Sequence, residues 1–113
     1  QAFAAAEYLE SDGLSLAIVN LPWLNRVDYE WLGETLSGFS YVFTLDNHYV
    51  VGGQGDMLLS AIAELNFERS LNVKKLGVRE IPVCGTNGEV LKHHRLDATG
   101  LAEDIDNFVK AKR

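Results

Sequence analysis

An open α/β layer is the fold that these 113 residues predict: a three-layer sandwich with a mostly parallel sheet flanked by helices. Three observations carry that expectation. Segments of helical period alternate with short apolar runs, in the order helix, strand, helix, strand, helix, strand, helix. The apolar runs are continuous rather than alternating, as in strands covered on both faces. Each helix is long enough to carry a right-handed crossover between parallel neighbours. The visible strands are few for such a sheet, so a strand ahead of the first helix is expected to complete it. One domain over residues 1–113 accounts for the length.

The elements follow in order. Ala2, Ala5, Ala6 and Leu9 recur at helical spacing, which predicts a first helix from Gln1 to about Glu10, ended by Asp12-Gly13. It starts with neither an initiator methionine nor a capping residue, so the chain reads as a piece of a longer protein. Leu14-Ser-Leu-Ala-Ile-Val-Asn20 reads as a strand. Asp28 is placed to cap a second helix carrying Trp31, Leu32 and Leu36 on one side, closed by Ser37-Gly38. Tyr41-Val-Phe-Thr-Leu45 is the strongest strand, and the loop Asp46 to Gly55 follows it. Asp56 is expected to cap a third helix whose Met57, Leu58, Ala61, Ile62 and Leu65 form an apolar stripe. Val73 to Val78 is a weaker strand, continued in extended form by Ile81-Pro-Val83. Thr86-Asn-Gly-Glu89 has the spacing of a capping box, opening a short helix through about Arg95. A last helix starts near Thr99-Gly100 and turns Leu101, Ile105, Phe108 and Val109 inward.

Charge and composition exclude several functions. Sixteen acidic against ten basic side chains give a net charge of −6, the wrong sign for neutralising nucleic-acid phosphates or docking on an anionic membrane. No apolar stretch approaches the roughly 18 residues that span a bilayer. Cys84 is the single cysteine, so an intrachain disulfide is excluded and a reducing, cytoplasmic location is expected.

Ligands of such sheets gather beyond the carboxyl ends of the strands, which points to the loops 20–28, 46–55 and 78–86. The middle loop is the richest. Gly52, Gly53 and Gly55 before a helix allow backbone N–H groups to face an anion, but the spacing is neither that of a P-loop nor of the dinucleotide fingerprint. Asp56 also puts negative charge where a phosphate would sit, so a tight turn packed on a neighbouring domain is the expected role. Asp46 and His48 stand two apart at a strand's end and face the same way, yet no serine or cysteine is placed to complete a nucleophilic triad. A histidine bonded within its loop, or across an interface, is the expectation. His93 and His94 are adjacent on a helix and point about 100° apart, which does not converge on a metal. Cys84 reads as a small buried hydrophobe, and Trp23 and Trp31 as packing or interface residues. The residues therefore show no catalytic constellation and no metal site of their own.

Several motifs, in order, are similar to the C-terminal domain of transketolase-like thiamine-diphosphate enzymes. Ala4-Ala-Ala-Glu-Tyr-Leu-Glu-Ser-Asp-Gly13 resembles that family's entry from helix to glycine. Leu16-Ala-Ile-Val-Asn20 and Asp28 stand where the family has a strand and a Lys-Pro-Leu-Asp segment, of which Asn25-Arg-Val-Asp28 keeps only the aspartate. Thr44-Leu-Asp-Asn-His48 with Gly52-Gly-Gln-Gly55 resembles the family's Glu-x-His…Gly-Gly-x-Gly loop, with Asp46 in place of glutamate. Leu76-Gly-Val78, Cys84-Gly-Thr86 and His94-Arg-Leu-Asp97 with Gly100-Leu101 resemble its tail.

The resemblance implies a scaffold or interface domain, with a regulatory role also suggested, that does not catalyse alone. It follows two thiamine-binding domains of the same protein and works with a second subunit, in a dimer or a heteromer. Thiamine diphosphate and Mg²⁺ would be held by those domains, and the parent reaction would move two-carbon ketol units between sugar phosphates. Related C-terminal domains occur in 1-deoxyxylulose-5-phosphate synthase and in 2-oxo acid dehydrogenase beta subunits. A stand-alone α/β interaction module is the alternative from another class. Asp28, Asp46, His48, Gly52, Gly53 and Gly55 are the interface candidates, with the loop Asp46–Gly55 as the expected contact with the thiamine-binding machinery.

Overall fold

The structure, a computed structural model, describes residues 1–113. Its elements are α1 (Ala2–Ser11), α2 (Tyr29–Leu36), β1 (Tyr41–Tyr49), α3 (Gln54–Glu64), β2 (Asn72–Val78), α4 (Asn87–His93) and α5 (Ala98–Lys112). They divide into two compact units, one made of Gln1–Asn20 with Glu80–Arg113, the other of Leu21–Arg79. No helix is long and apolar enough to cross a membrane.

The unit Leu21–Arg79 holds a parallel β–α–β arrangement. β1 and β2 pair in register from Tyr41 opposite Asn72 to Leu45 opposite Leu76, and α3 packs on both strands. The α/β class and the parallel pairing are therefore as the sequence predicts. Helix α2 is capped as expected, the Asp28 carboxylate accepting the Trp31 N–H at 2.8 Å. Leu32 of α2 meets Leu58 and Ala61 of α3 in a buried cluster, with Leu21, Val27, Leu36, Met57, Ile62 and Leu65 around it. This is the apolar stripe read from the sequence, closed by its partner helix.

In the other unit α1 packs on α5. Ala5 and Leu9 from α1 are buried, as are Leu101, Ala102, Ile105 and Val109 from α5. The two helix starts are tied together, since the Gln1 side-chain oxygen accepts the Ala98 N–H at 2.8 Å. The α4 capping box forms as predicted, with Thr86 N–H donating to Glu89 Oε2 at 2.8 Å and the Thr86 hydroxyl accepting from Glu89 N–H at 3.4 Å.

Three expectations change. Leu14–Asn20 is not a strand: the sheet has two strands, β1 and β2, and Ile18 and Val19 are exposed. A run that is apolar on both faces has strand propensity only as far as a neighbour supplies its ladder and its cover, and this segment has no ladder. Strand β1 runs on past Leu45 to Tyr49, carrying Asp46 and His48 on the strand rather than in the loop. Helix α3 starts at Gln54, two residues before Asp56, with Gly53 as its N-cap.

Candidate functional site

The geometry that matters begins with an irregularity. Between Leu45 opposite Leu76 and Tyr49 opposite Val78, β1 spends more residues than β2, so it bulges. The bulge lies over Gly77. A Cβ there would meet the carbonyl oxygen of His48 at 2.9 Å and that of Asp46 at 3.0 Å, so only glycine lets the backbone pass this close. Val50 N–H then rejoins the ladder at Val78 O, 3.0 Å away.

The bulge aims Asp46 at the start of α3. Asp46 is 4% exposed. Its Oδ1 accepts the Gln54 N–H and its Oδ2 the Gly55 N–H, both at 2.9 Å. These are the first amides of the helix, which have no partner inside it. Asp46 is thus the charged cap of α3, delivered from the strand rather than from the residue just before the helix. The glycines leave room for it. A Cβ on Gly53 would lie 2.7 Å from the Asp46 carboxyl carbon and from His48 Cε1, and one on Gly55 2.5 Å from Thr44 Oγ1. Gly52 has φ +77°, the left-handed region that suits glycine.

Asp56, expected as the cap, closes the loop from the other side. Its Oδ2 accepts the Gly52 N–H at 2.6 Å and its Oδ1 pairs with the Lys75 ammonium from β2. The Lys75 hydrogen bond, with the Gly52 amide behind it, holds the Asp56 carboxyl below the usual carboxylate range. Gln54 reaches outward: its side-chain amide donates to the carbonyls of Leu21 at 3.1 Å and Trp23 at 2.7 Å, which joins the segment before α2 to this loop. Arg26 stacks 3.8 Å from the centre of the Trp23 ring.

The sequence-predicted residues divide accordingly. Asp46, His48, Gly52, Gly53 and Gly55 come together in one turn, with His48 Nε2 at 3.6 Å from Asp46 Oδ1. Asp28 serves α2 as its cap and is bonded there. Lys75, Gln54, Thr44 and Gly77 also build the turn. Thr44, Gln54 and Gly77 lie inside the family-like motifs without being singled out as site residues, and Lys75, opposite Thr44 in the strand register, has no sequence signal of its own. Cys84 is exposed, not the buried hydrophobe expected.

The turn does not fit a diphosphate. The N–H groups of Gly52, Gln54 and Gly55 are occupied by the carboxylates of Asp56 and Asp46, and Lys75 is paired with Asp56. An incoming anion would meet two carboxylates where it needs free donors.

Comparison with known proteins agrees with this architecture. The profile of the transketolase C-terminal domain family matches residues 1–101. A transketolase C-terminal section of Methanocaldococcus jannaschii is 31% identical over 113 residues, covering 97% of this chain and 34% of its own length. A 1-deoxy-D-xylulose-5-phosphate synthase of Mannheimia succiniciproducens is 32% identical over 103 residues, covering 88% of this chain and 16% of that protein. Among solved structures, a split gene transketolase in an inactive β4 tetramer superposes with a TM-score of 0.84 at 28% identity, covering 99% of this chain and 36% of that one. The chain therefore spans about a sixth to a third of the length of these relatives. By the match of residues 1–101 and by its fold, this chain belongs to the transketolase C-terminal domain family.

Proposed function

We propose that this chain is the C-terminal scaffold of a thiamine-diphosphate- and Mg²⁺-dependent transketolase of the cytoplasm, and that its Asp46–Gly55 loop faces the thiamine-binding domains and a second subunit. The parent enzyme would transfer two-carbon ketol units between sugar phosphates, with substrate and cofactor held by the other domains. One observation carries the interface reading. The loop is fixed from within by the buried Asp46 carboxylate, yet it presents Tyr49 and Val51 outward, Val51 being 78% exposed. A loop already ordered before contact loses little conformational freedom on docking, so its apolar tip contributes fully to association.

The test is reconstitution with the thiamine-binding section of the same enzyme. Val51→Asp is expected to weaken association at least about tenfold, equivalent to about 1.4 kcal/mol, while leaving the circular dichroism of the isolated chain unchanged. Calorimetry of the isolated chain with thiamine diphosphate and Mg²⁺ is expected to show no heat of binding. Micromolar affinity for the cofactor, or unchanged assembly of the Val51→Asp chain, would overturn the proposal. The identity to a 1-deoxy-D-xylulose-5-phosphate synthase favours a second reading, in which the parent is a synthase of that kind. Ketol transfer between sugar phosphates by the reconstituted enzyme separates the two.

A further inference from the structure

A second group of side chains, in the unit formed by Gln1–Asn20 with Glu80–Arg113, has no part in the Asp46–Gly55 turn. Glu80 follows β2, and His93 and His94 end α4. One ligand atom from each lies within 4.8 Å of the other two. His93 Nε2 is 3.9 Å from Glu80 Oε1, and the two imidazoles meet edge to face with centroids 4.9 Å apart.

Adjacent helical residues diverge by about 100° on an ideal helix, and that is why the sequence gives no metal set here. The structure defeats that argument in two ways. His94 is the C-cap of α4, with φ −86° and ψ 7°, so it has left the helical geometry that would separate it from His93. Glu80 reaches the same place from the far end of the 81–86 loop.

We propose that Glu80, His93 and His94 form a binding site for a borderline transition-metal cation of the Zn²⁺ or Co²⁺ kind. Two imidazoles and a carboxylate are a ligand set for such ions, whereas Mg²⁺ takes oxygen and water. Tetrahedral ligands about 2.0–2.1 Å from the metal stand roughly 3.4 Å apart. The three groups must therefore close in by an ångström or so. Glu80 and His93, 72% and 50% exposed, turn freely enough to do it. His94 Nε2 accepts a long 3.3 Å hydrogen bond from Val83 N–H, a weak contact that a metal bond readily replaces. The C-terminal end of α4 adds its dipole in the direction that favours a cation, with Lys92 in the same turn opposing it. Three protein ligands leave a fourth position open to water or to a donor from another molecule. Bound metal would clip the 81–86 loop to the end of α4, a short closure of small entropic cost.

The test is titration of the 113-residue chain with Zn²⁺ alone by calorimetry, and with Co²⁺ followed by its visible d–d absorption. One ion per chain with micromolar affinity is expected, unaffected by excess Mg²⁺. His93→Ala, His94→Ala and Glu80→Gln should each weaken binding by about tenfold or more, with unchanged circular dichroism. Glu80→Gln keeps the side chain's shape and so separates lost ligation from lost folding. His48→Ala should bind as tightly as the parent chain. Absence of binding, affinity unchanged from the parent chain in the His93→Ala or His94→Ala variant, or loss of binding on His48→Ala would each overturn the assignment.

Discussion

Replacing Asp46 by alanine tests the central feature of the turn. Its carboxylate is buried and accepts the first two amides of α3 at 2.9 Å each. Hydrogen bonds to a charged group are worth about 1.5–3 kcal/mol apiece. The two share one carboxylate, so their losses do not add, and a cost of about 3 kcal/mol is expected once water has partly entered. Asp46→Asn keeps one acceptor but turns an amide donor toward the other helix N–H, and about 2 kcal/mol is expected there. Urea unfolding with an unchanged slope gives the free energies. Hydrogen exchange gives the place: the Gln54 and Gly55 amides should lose protection in Asp46→Ala before the rest of α3 does. A cost below about 1 kcal/mol with those amides still protected would refute the capping role.

Other perturbations follow from the same geometry. Gly55→Ala drives a Cβ to 2.5 Å from Thr44 Oγ1 and 3.1 Å from Asp46 Oδ2, and should cost about 2–3 kcal/mol in urea unfolding. Gly52→Ala meets no atom within 4 Å but stays at φ +77°, so only the backbone term of about 1 kcal/mol is expected. The reverse order of the two would be wrong for this turn. Thr44 Oγ1 is buried without a partner; Thr44→Val removes a polar atom at nearly constant shape and should be neutral or stabilising by up to about 1 kcal/mol in the same assay. Asp56 is held below the usual carboxylate range by Lys75 and the Gly52 amide. Its stabilising contribution is therefore present above the unfolded carboxylate pKa and lost as pH falls through the lower folded value. Lys75→Met should move the Asp56 midpoint upward in a carboxyl-carbon NMR titration, and an unmoved midpoint would disprove the pairing.

What could be read from the sequence is what is decided locally. The Asp28 cap, the Thr86–Glu89 capping box and the stripe from Met57 to Leu65 each need only residues within a few turns of one another, and each forms. The continuous run Tyr41–Leu45 likewise pairs in parallel with the segment read as its weaker partner. Leu14–Asn20 fails for the converse reason, because a strand exists only in a ladder and its composition cannot supply one. The sequence points to Asp56, the nearest acid in the expected position, as the cap of α3. The carboxylate that holds the Gln54 and Gly55 amides comes instead from Asp46, across a bulge that depends on Gly77 in the other strand. No periodicity reports such a crossing. The approach of Glu80 to His93 and His94 is of the same kind, set by where a loop returns rather than by any spacing.

The turn also shows why glycines before a helix do not by themselves make an anion site. A phosphate cradle requires free amides and an unopposed positive end of the helix. Here the glycines perform a different service. Gly53 and Gly55 admit the Asp46 side chain so closely that the Gln54 and Gly55 amides find their acceptors within the chain. Gly52 bends the backbone so that its own amide meets Asp56, whose charge is matched in turn by Lys75. With the Gly52, Gln54 and Gly55 amides and the Asp56–Lys75 charges satisfied internally, the turn has rigidity rather than anion affinity to offer. Its outward side chains include the apolar Val51 and the ring of Tyr49, beside the exposed Asn47 and His48. An ordered loop with exposed apolar side chains suits protein contact, and that is the physical ground for the proposal that it meets another protein surface rather than a cofactor.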